Sequence, residues 1–177
     1  MPKVIVITGP CGAGKTTVAE LLSERLSIPL LKGDDINQEL FPGLIDIEKH
    51  PKKLTILKEE LLRRTNVLYH SGKNVIVDYI MLGTIVDEFK KIFGNDVVFK
   101  MLLPSEDVLI QRDKERECWT SGKDQVISLR KQFHELKELM KPESIIDNSN
   151  ENAEATVIKI ANSLILDTHS QKKIAQL

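Results

Sequence analysis

The sequence predicts an α/β domain with a mostly parallel sheet, and three observations carry that reading. Short apolar runs rich in Val and Ile recur from one end of the chain to the other. Amphipathic stretches with helical spacing lie between them, so successive strands are joined by crossovers and run in parallel. The runs lack polar alternation, as expected of strands buried on both faces.

The elements follow in order. Residues 3–8 read as the first strand. In the helix after it Val18, Leu22 and Leu26 recur at i, i+4 and i+8 with Leu21 beside them, and Pro29 closes the segment. Residues 30–32, 74–79, 96–103 and 144–147 are the remaining strands, most of them flanked by Gly, Pro or Asn. Helical patterns cover residues 54–70, 83–92, 105–116, 125–140 and 151–166. Ser105, following Pro104, is a suitable helix start, with Glu106 and Asp107 on the positive end of the dipole. The polar stretch 118–124, with Thr120, Ser121 and Gly122, is expected to be mobile, and residues 167–177 lack periodicity and read as a frayed tail.

A chain of 177 residues is one domain's worth of protein, here placed over residues 1–166. Area scaling has folding remove about 70 % of the unfolded surface, enough for a core without metal or disulfide staples. Twenty-five Lys and Arg against 26 Asp and Glu leave a formal charge of −1. That balance creates no general field for a polyanion, so nucleic acid is not an expected partner. No apolar run approaches the roughly 18 residues of a membrane span, and the glycine-rich stretch from Gly9 to Thr17 would interrupt a signal peptide's apolar region. The expected location is cytoplasmic, with no membrane partner. Cys11 and Cys118 have no metal-ligand spacing and read as a reduced pair.

One motif carries specific chemistry. Gly9-Pro10-Cys11-Gly12-Ala13-Gly14-Lys15-Thr16 fits G-x-x-x-x-G-K-[ST], after a strand and opening a helix, as the motif requires. Glycines let the backbone curl so that its N–H groups face phosphate oxygens, and the helix N-terminus favours the anion. Lys15 is expected on the β- and γ-phosphates of ATP, and Thr16 as a hydroxyl ligand to Mg²⁺; Thr17 completes the nucleotide-binding run. Cys11 reads as a small filler inside the loop.

Acidic residues stand at the ends of two apolar strands. Asp34 and Asp35 follow the second, and Asp78 ends the third. Ligands of open α/β sheets bind beyond the carboxyl ends of the strands, so these carboxylates share a rim with the phosphate loop. A carboxylate there accepts a proton from an acceptor hydroxyl or holds a water of the Mg²⁺ shell. Asp34 and Asp78 are the candidates, Asp78 also for the metal, whereas Asp35 suits a turn or helix cap.

The pattern of an N-terminal GxxxxGKT loop, a second strand ending in Gly33-Asp34, a third ending in Asp78 and a late arginine-bearing helix resembles the small P-loop kinases. These include the shikimate, gluconate and adenylylsulfate kinases, chloramphenicol phosphotransferase and the kinase part of polynucleotide kinases. The resemblance covers residues 3–166 and implies the P-loop nucleoside triphosphate hydrolase fold, a five-stranded parallel sheet in order 2-3-1-4-5 with a small lid. It places Asp34 at the acceptor-facing acid. It also assigns Arg112 and Arg116, at i and i+4 on one helix face, to a lid over ATP spanning about residues 112–124. Residue pattern alone favours a solvated helix face for those arginines, and it is the resemblance that assigns them to the lid. Trp119 in the lid reads either as a cover for nucleotide or acceptor or as packing on the lid's base. Asn148 and Ser149, after the fifth strand, read either as adenine contacts or, with Asn150, as the start of the last helix. Two departures leave the acceptor open. Lys32 stands where shikimate kinases carry a first acid, and Tyr79-Ile80-Met81 replaces their Gly-Gly-Gly run.

The expected function is therefore transfer of the γ-phosphoryl group of ATP to a hydroxyl of a small molecule. One rival is a nucleoside, nucleotide or polynucleotide 5′-hydroxyl kinase, which would need a basic groove or an arginine-rich acceptor pocket; Arg63 and Arg64 read either as contacts to an anionic acceptor or as a solvated helix face. The other is a nucleotide-dependent switch or ATPase acting on a protein, which would need a metal-contacting switch segment. Gly83 follows Asp78 too late to supply one.

Overall fold

The structure, a computed structural model, describes residues 1–115 and 121–174, the stretch beyond residue 164 by backbone alone. Five strands, β1 (Val4–Thr8), β2 (Leu30–Lys32), β3 (Val75–Asp78), β4 (Val97–Leu102) and β5 (Ile145–Ile146), form one parallel sheet in the order β2-β3-β1-β4-β5.

The period-2 geometry of a strand explains why β1 is apolar throughout. Val4 and Val6 face one layer and Ile5 and Ile7 the other, and all five residues of β1 are buried. The first layer holds α2 (Gly33–Leu40), α3 (Pro51–His70) and α4 (Thr84–Phe93), whose Ile36, Leu57, Leu61 and Phe89 meet the valines. The second holds α1 (Lys15–Leu26) and α7 (Ala153–Ile174), packed on each other, with Val18, Leu22, Val157 and Ile160 against the isoleucines. Helices α5 (Glu106–Lys114) and α6 (Lys123–Lys137) cover the β4 side, where Phe133 packs on Met101 and Leu103. Each buried aliphatic or aromatic side chain contributes roughly 1.5–3 kcal/mol, so the crossover layers hold the sheet from both sides.

Strand register sets the site. Ile7 pairs with Asp78 and Lys32 pairs with Asp78, so β1, β2 and β3 end level with one another. The phosphate loop, the Gly33-Asp34 segment and Asp78 therefore emerge on one rim.

Several boundaries differ from the sequence reading. β2 covers the expected residues 30–32, and the helix after it already opens at Gly33, with Asp34 and Asp35 in its first turn, where carboxylates sit favourably. The last helix runs to Ile174, past the expected end at residue 166, since no Gly or Pro interrupts residues 153–174. Its start is capped by Asn152, whose Oδ1 accepts the Ala155 N–H at 2.9 Å, and not by Ser149 or Asn150. Among the described residues no helix is long and apolar enough to cross a membrane.

Candidate active site

The phosphate loop leaves β1 and turns into α1 under tight constraint. Gly12 has φ 79°, and a Cβ there would lie 2.5 Å from the Leu109 carbonyl oxygen, so the loop rests directly on the backbone of α5. Thr8 Oγ1 accepts the Met81 N–H at 2.9 Å and holds the chain after β3 against the end of β1. The first turn of α1 contains no acidic residue, and Gly14 places no side-chain cap on it. Its positive end is therefore left to an anion. The Lys15 Nζ donates to the Pro10 carbonyl oxygen at 3.1 Å, so its ammonium lies over its own loop.

Thr16 and Asp78 meet beside this loop. The Thr16 hydroxyl donates to Asp78 Oδ2 at 2.7 Å, although the two residues are 62 apart in sequence. Asp78 is buried, and loss of water pushes its carboxyl above the ordinary range. The Lys15 ammonium and the Thr16 hydroxyl counteract that shift, while the Asp34 and Glu20 carboxylates add to it. An all-oxygen pair of one hydroxyl and one under-compensated carboxylate is the donor chemistry of Mg²⁺. That ion takes one or two protein carboxylates and fills its octahedron with water and phosphate oxygens. In keeping with so sparse a set, no cluster of three or more His, Cys, Asp or Glu suited to a metal occurs among the described residues.

A cleft enclosing about 740 Å³, open mouth included, joins these groups to the acidic residues. Cys11, Lys15, Thr16, Asp34, Asp78 and Tyr79 line it. The segment from Ile45 to Glu48, with Gln125 and Leu129 of α6, completes the lining. Asp34 and Asp35 diverge although adjacent. Asp34 lines the cleft, whereas Asp35 accepts an ion pair from Lys32 at 3.2 Å, shared with Glu20 at 3.2 Å. Those two carboxylates hold the Lys32 ammonium above its usual pKa and outside the cleft lining.

Tyr79 was not a candidate from sequence, and it lines the cleft with its ring against Gly33. A Cβ on Gly33 would lie 2.1 Å from Tyr79 Cδ2, so the ring occupies space that only glycine leaves. Burial, and then the Glu48 and Asp34 carboxylates, push its hydroxyl well above the phenol range. Asp46 and Glu48 were missed as well; their one sequence signal is alternation with Ile45 and the buried Ile47.

The late residues gather on the other side of the loop. Asn148 is buried, its Nδ2 donates to the Ala13 carbonyl at 3.0 Å, and its own carbonyl accepts from Arg112 at 3.0 Å. Arg112, the loop after β5 and the phosphate loop are thereby tied in series. Ser149 is engaged with Asp147 and accepts the Ser105 N–H at 2.8 Å. Asp113 receives the N–H groups of Ser121 and Gly122 at 3.2 and 3.1 Å, which fixes the entry to α6 on α5. Arg116, Cys118 and Trp119 lie outside the described residues. Arg63 and Arg64 both grip Glu60, holding its carboxyl down at about 2, and Arg64 also reaches Glu39 of α2 at 2.6 Å. Arg64 thereby fastens α3 to α2, Arg63 pairs within α3, and neither lines the cleft.

A family model described as an AAA domain matches residues 5–128, more than two thirds of the chain and all of the rim. The chain belongs to that family. A shikimate kinase of Caldicellulosiruptor bescii is 30 % identical over 114 residues, 60 % of this chain and 62 % of that protein. A cytidylate kinase of Sulfurisphaera tokodaii is 28 % identical over 93 residues, 50 % of this chain and 52 % of that one. The match thus spans less than two thirds of either relative's length. In fold, a sugar kinase from Janibacter superposes with a TM-score of 0.69 at 18 % identity, over 93 % of this chain and 95 % of that one. The sheet order 2-3-1-4-5 is that of the small P-loop kinase fold.

Proposed function

We propose that this protein is a Mg²⁺-dependent kinase that moves the γ-phosphoryl group of ATP to a hydroxyl of a small molecule. The observation that carries this reading is the 2.7 Å contact of Thr16 with Asp78 in a cleft that Lys15 and Asp34 also line. Phosphoryl transfer asks little covalent chemistry of a protein and much positioning and charge. In this reading the backbone from Gly9 to Thr17 cradles the phosphates. Lys15 leaves the Pro10 carbonyl to meet the β- and γ-phosphates, replacing a neutral partner with an anionic one. Thr16 and Asp78 would hold Mg²⁺, which supplies neutralisation of phosphate charge when bound. Asp34 accepts a hydrogen bond from the acceptor hydroxyl, aims it at phosphorus and takes its proton. Arg112 and Arg116, in a lid over residues 112–124, shield developing charge and exclude water. Asn148 and Ser149 border the adenine.

The test measures label transfer from γ-labelled ATP to a panel of sugars, hydroxy acids, nucleosides and CMP. Lys15→Ala should abolish transfer in a folded protein. Asp34→Asn should retain ATP binding and lower turnover about 10²–10⁴-fold, the range for loss of a general base. Undiminished turnover in folded Lys15→Ala refutes the proposal. CMP as sole acceptor would instead assign transfer to a phosphate oxygen, in line with the cytidylate kinase relatives.

A further inference from the structure

We infer that the acceptor is a hydroxyl compound bearing a cationic amine, recognised by the Tyr79 hydroxyl together with the Asp34 and Glu48 carboxylates. This rests on the kinase reading above and narrows its acceptor. Tyr79 is 7 % exposed and lines the cleft, yet its hydroxyl makes no hydrogen bond among the described residues. The ring is buried but its hydroxyl is not among the buried polar atoms left without a partner, so its tip opens into the cleft and is presented to whatever fills it. Its ring is built in, because Gly33 provides the clearance that any Cβ would remove.

Apart from Lys15, the charged side chains that line the cleft with Tyr79 are carboxylates: Asp34, Asp46, Glu48 and Asp78. Asp34 and Glu48 line the cleft together with Tyr79, and neither forms an ion pair among the described residues. Asp46, in the same segment as Glu48, is already neutralised by Lys49 at 2.7 Å. Of the cations nearby, Lys15 belongs to the phosphates, and Lys58 lies in the adjoining recess that Glu48 and Gln125 also line. No arginine lines either hollow among the described residues. With MgATP in place the acceptor would enter between two carboxylates and a polyphosphate. Shikimate, gluconate and cytidylate are anions and would be repelled there, whereas an ammonium compensates the charge. The transfer itself is unchanged. The acceptor oxygen forms a bond to the γ-phosphorus, the bond from that phosphorus to the β-bridging oxygen breaks, ADP leaves, and the hydroxyl proton passes to Asp34. The ammonium stays protonated against Glu48.

The experiment supplies the full chain, Mg²⁺ and γ-labelled ATP with small molecules from a cell extract, separated by ion exchange into cationic, neutral and anionic pools. Label should enter the cationic pool. Tyr79→Phe and Glu48→Gln should each reduce that transfer tenfold or more without loss of ATP binding, and Glu48→Lys should move the preference towards the anionic pool. Melting curves verify that the variants are folded, and the charge reversal gives a readout that a purely structural role for Glu48 would not move. Transfer confined to the neutral or anionic pool overturns the inference, as does transfer to the cationic pool that is indifferent to Glu48→Gln and Glu48→Lys. Transfer to no pool, with ATP still bound, refutes the underlying kinase reading and the inference with it.

Discussion

Replacing Gly33 by alanine should destabilise this protein, and the sign should reverse once the Tyr79 ring is removed. Gly33 is not among the glycines with positive φ, so alanine meets no backbone strain there. What it meets is the ring, with a Cβ 2.1 Å from Cδ2 and 2.9 Å from Cε2 and Cγ of Tyr79. Carbon atoms rest about 3.5–4.0 Å apart, so the ring must retreat by more than about 1 Å. At 7 % exposure it has little room to do so. Overpacking of this kind costs about 1–3 kcal/mol, which for a chain of this length lowers Tm by roughly 2–4 °C per kcal/mol. In a Tyr79→Ala background the same change becomes a Gly→Ala substitution at the start of α2, which gains about 0.4–1 kcal/mol through the unfolded chain. Urea unfolding of wild type, both single variants and the double variant would measure the coupling, with equal m-values as the control. Equal effects of Gly33→Ala in the two backgrounds would refute the packing argument, and so would a neutral effect in wild type.

Asp78→Asn should make the metal-free protein more stable at pH 7 while impairing Mg²⁺-dependent transfer. Burial raises the Asp78 carboxyl, so the fold binds that proton more tightly than the unfolded chain, and stability is lost as pH rises from 3.8 through the raised value. The gain from Asn should therefore shrink as pH is lowered towards 4, and Tm should rise on the order of 2–4 °C for each kcal/mol recovered; a lower Tm at pH 7 would contradict this. Asn148→Ala removes the N–H that the Ala13 carbonyl accepts in a buried setting, at a cost of about 1–3 kcal/mol. If Asn148 acts through the phosphate loop, affinity for inorganic tripolyphosphate should fall as much as affinity for ATP, whereas loss confined to ATP would point to the adenine.

The chain's own pattern determined the α/β class and the phosphate loop. Runs such as Val4–Ile7 can bury both faces only between two helical layers, and GxxxxGKT is a local device whose spacing is its geometry. The strand order came from a resemblance, and the crossover contacts agree with it. Element ends were less legible, because Asp34 and Asp35 suit a strand-end turn and a helix start equally well until α2 packs on α3. Tertiary structure alone decided which carboxylate faces the cleft, since one residue's step around α2 sends Asp34 into the cleft and Asp35 to Lys32. It also decided that Asn148 holds the Ala13 carbonyl, that Arg64 reaches Glu39, and that Tyr79 stands with Glu48 in the cleft. Each of these pairs joins residues distant in sequence or on different elements, and no local propensity encodes a contact that exists only once the crossovers have closed.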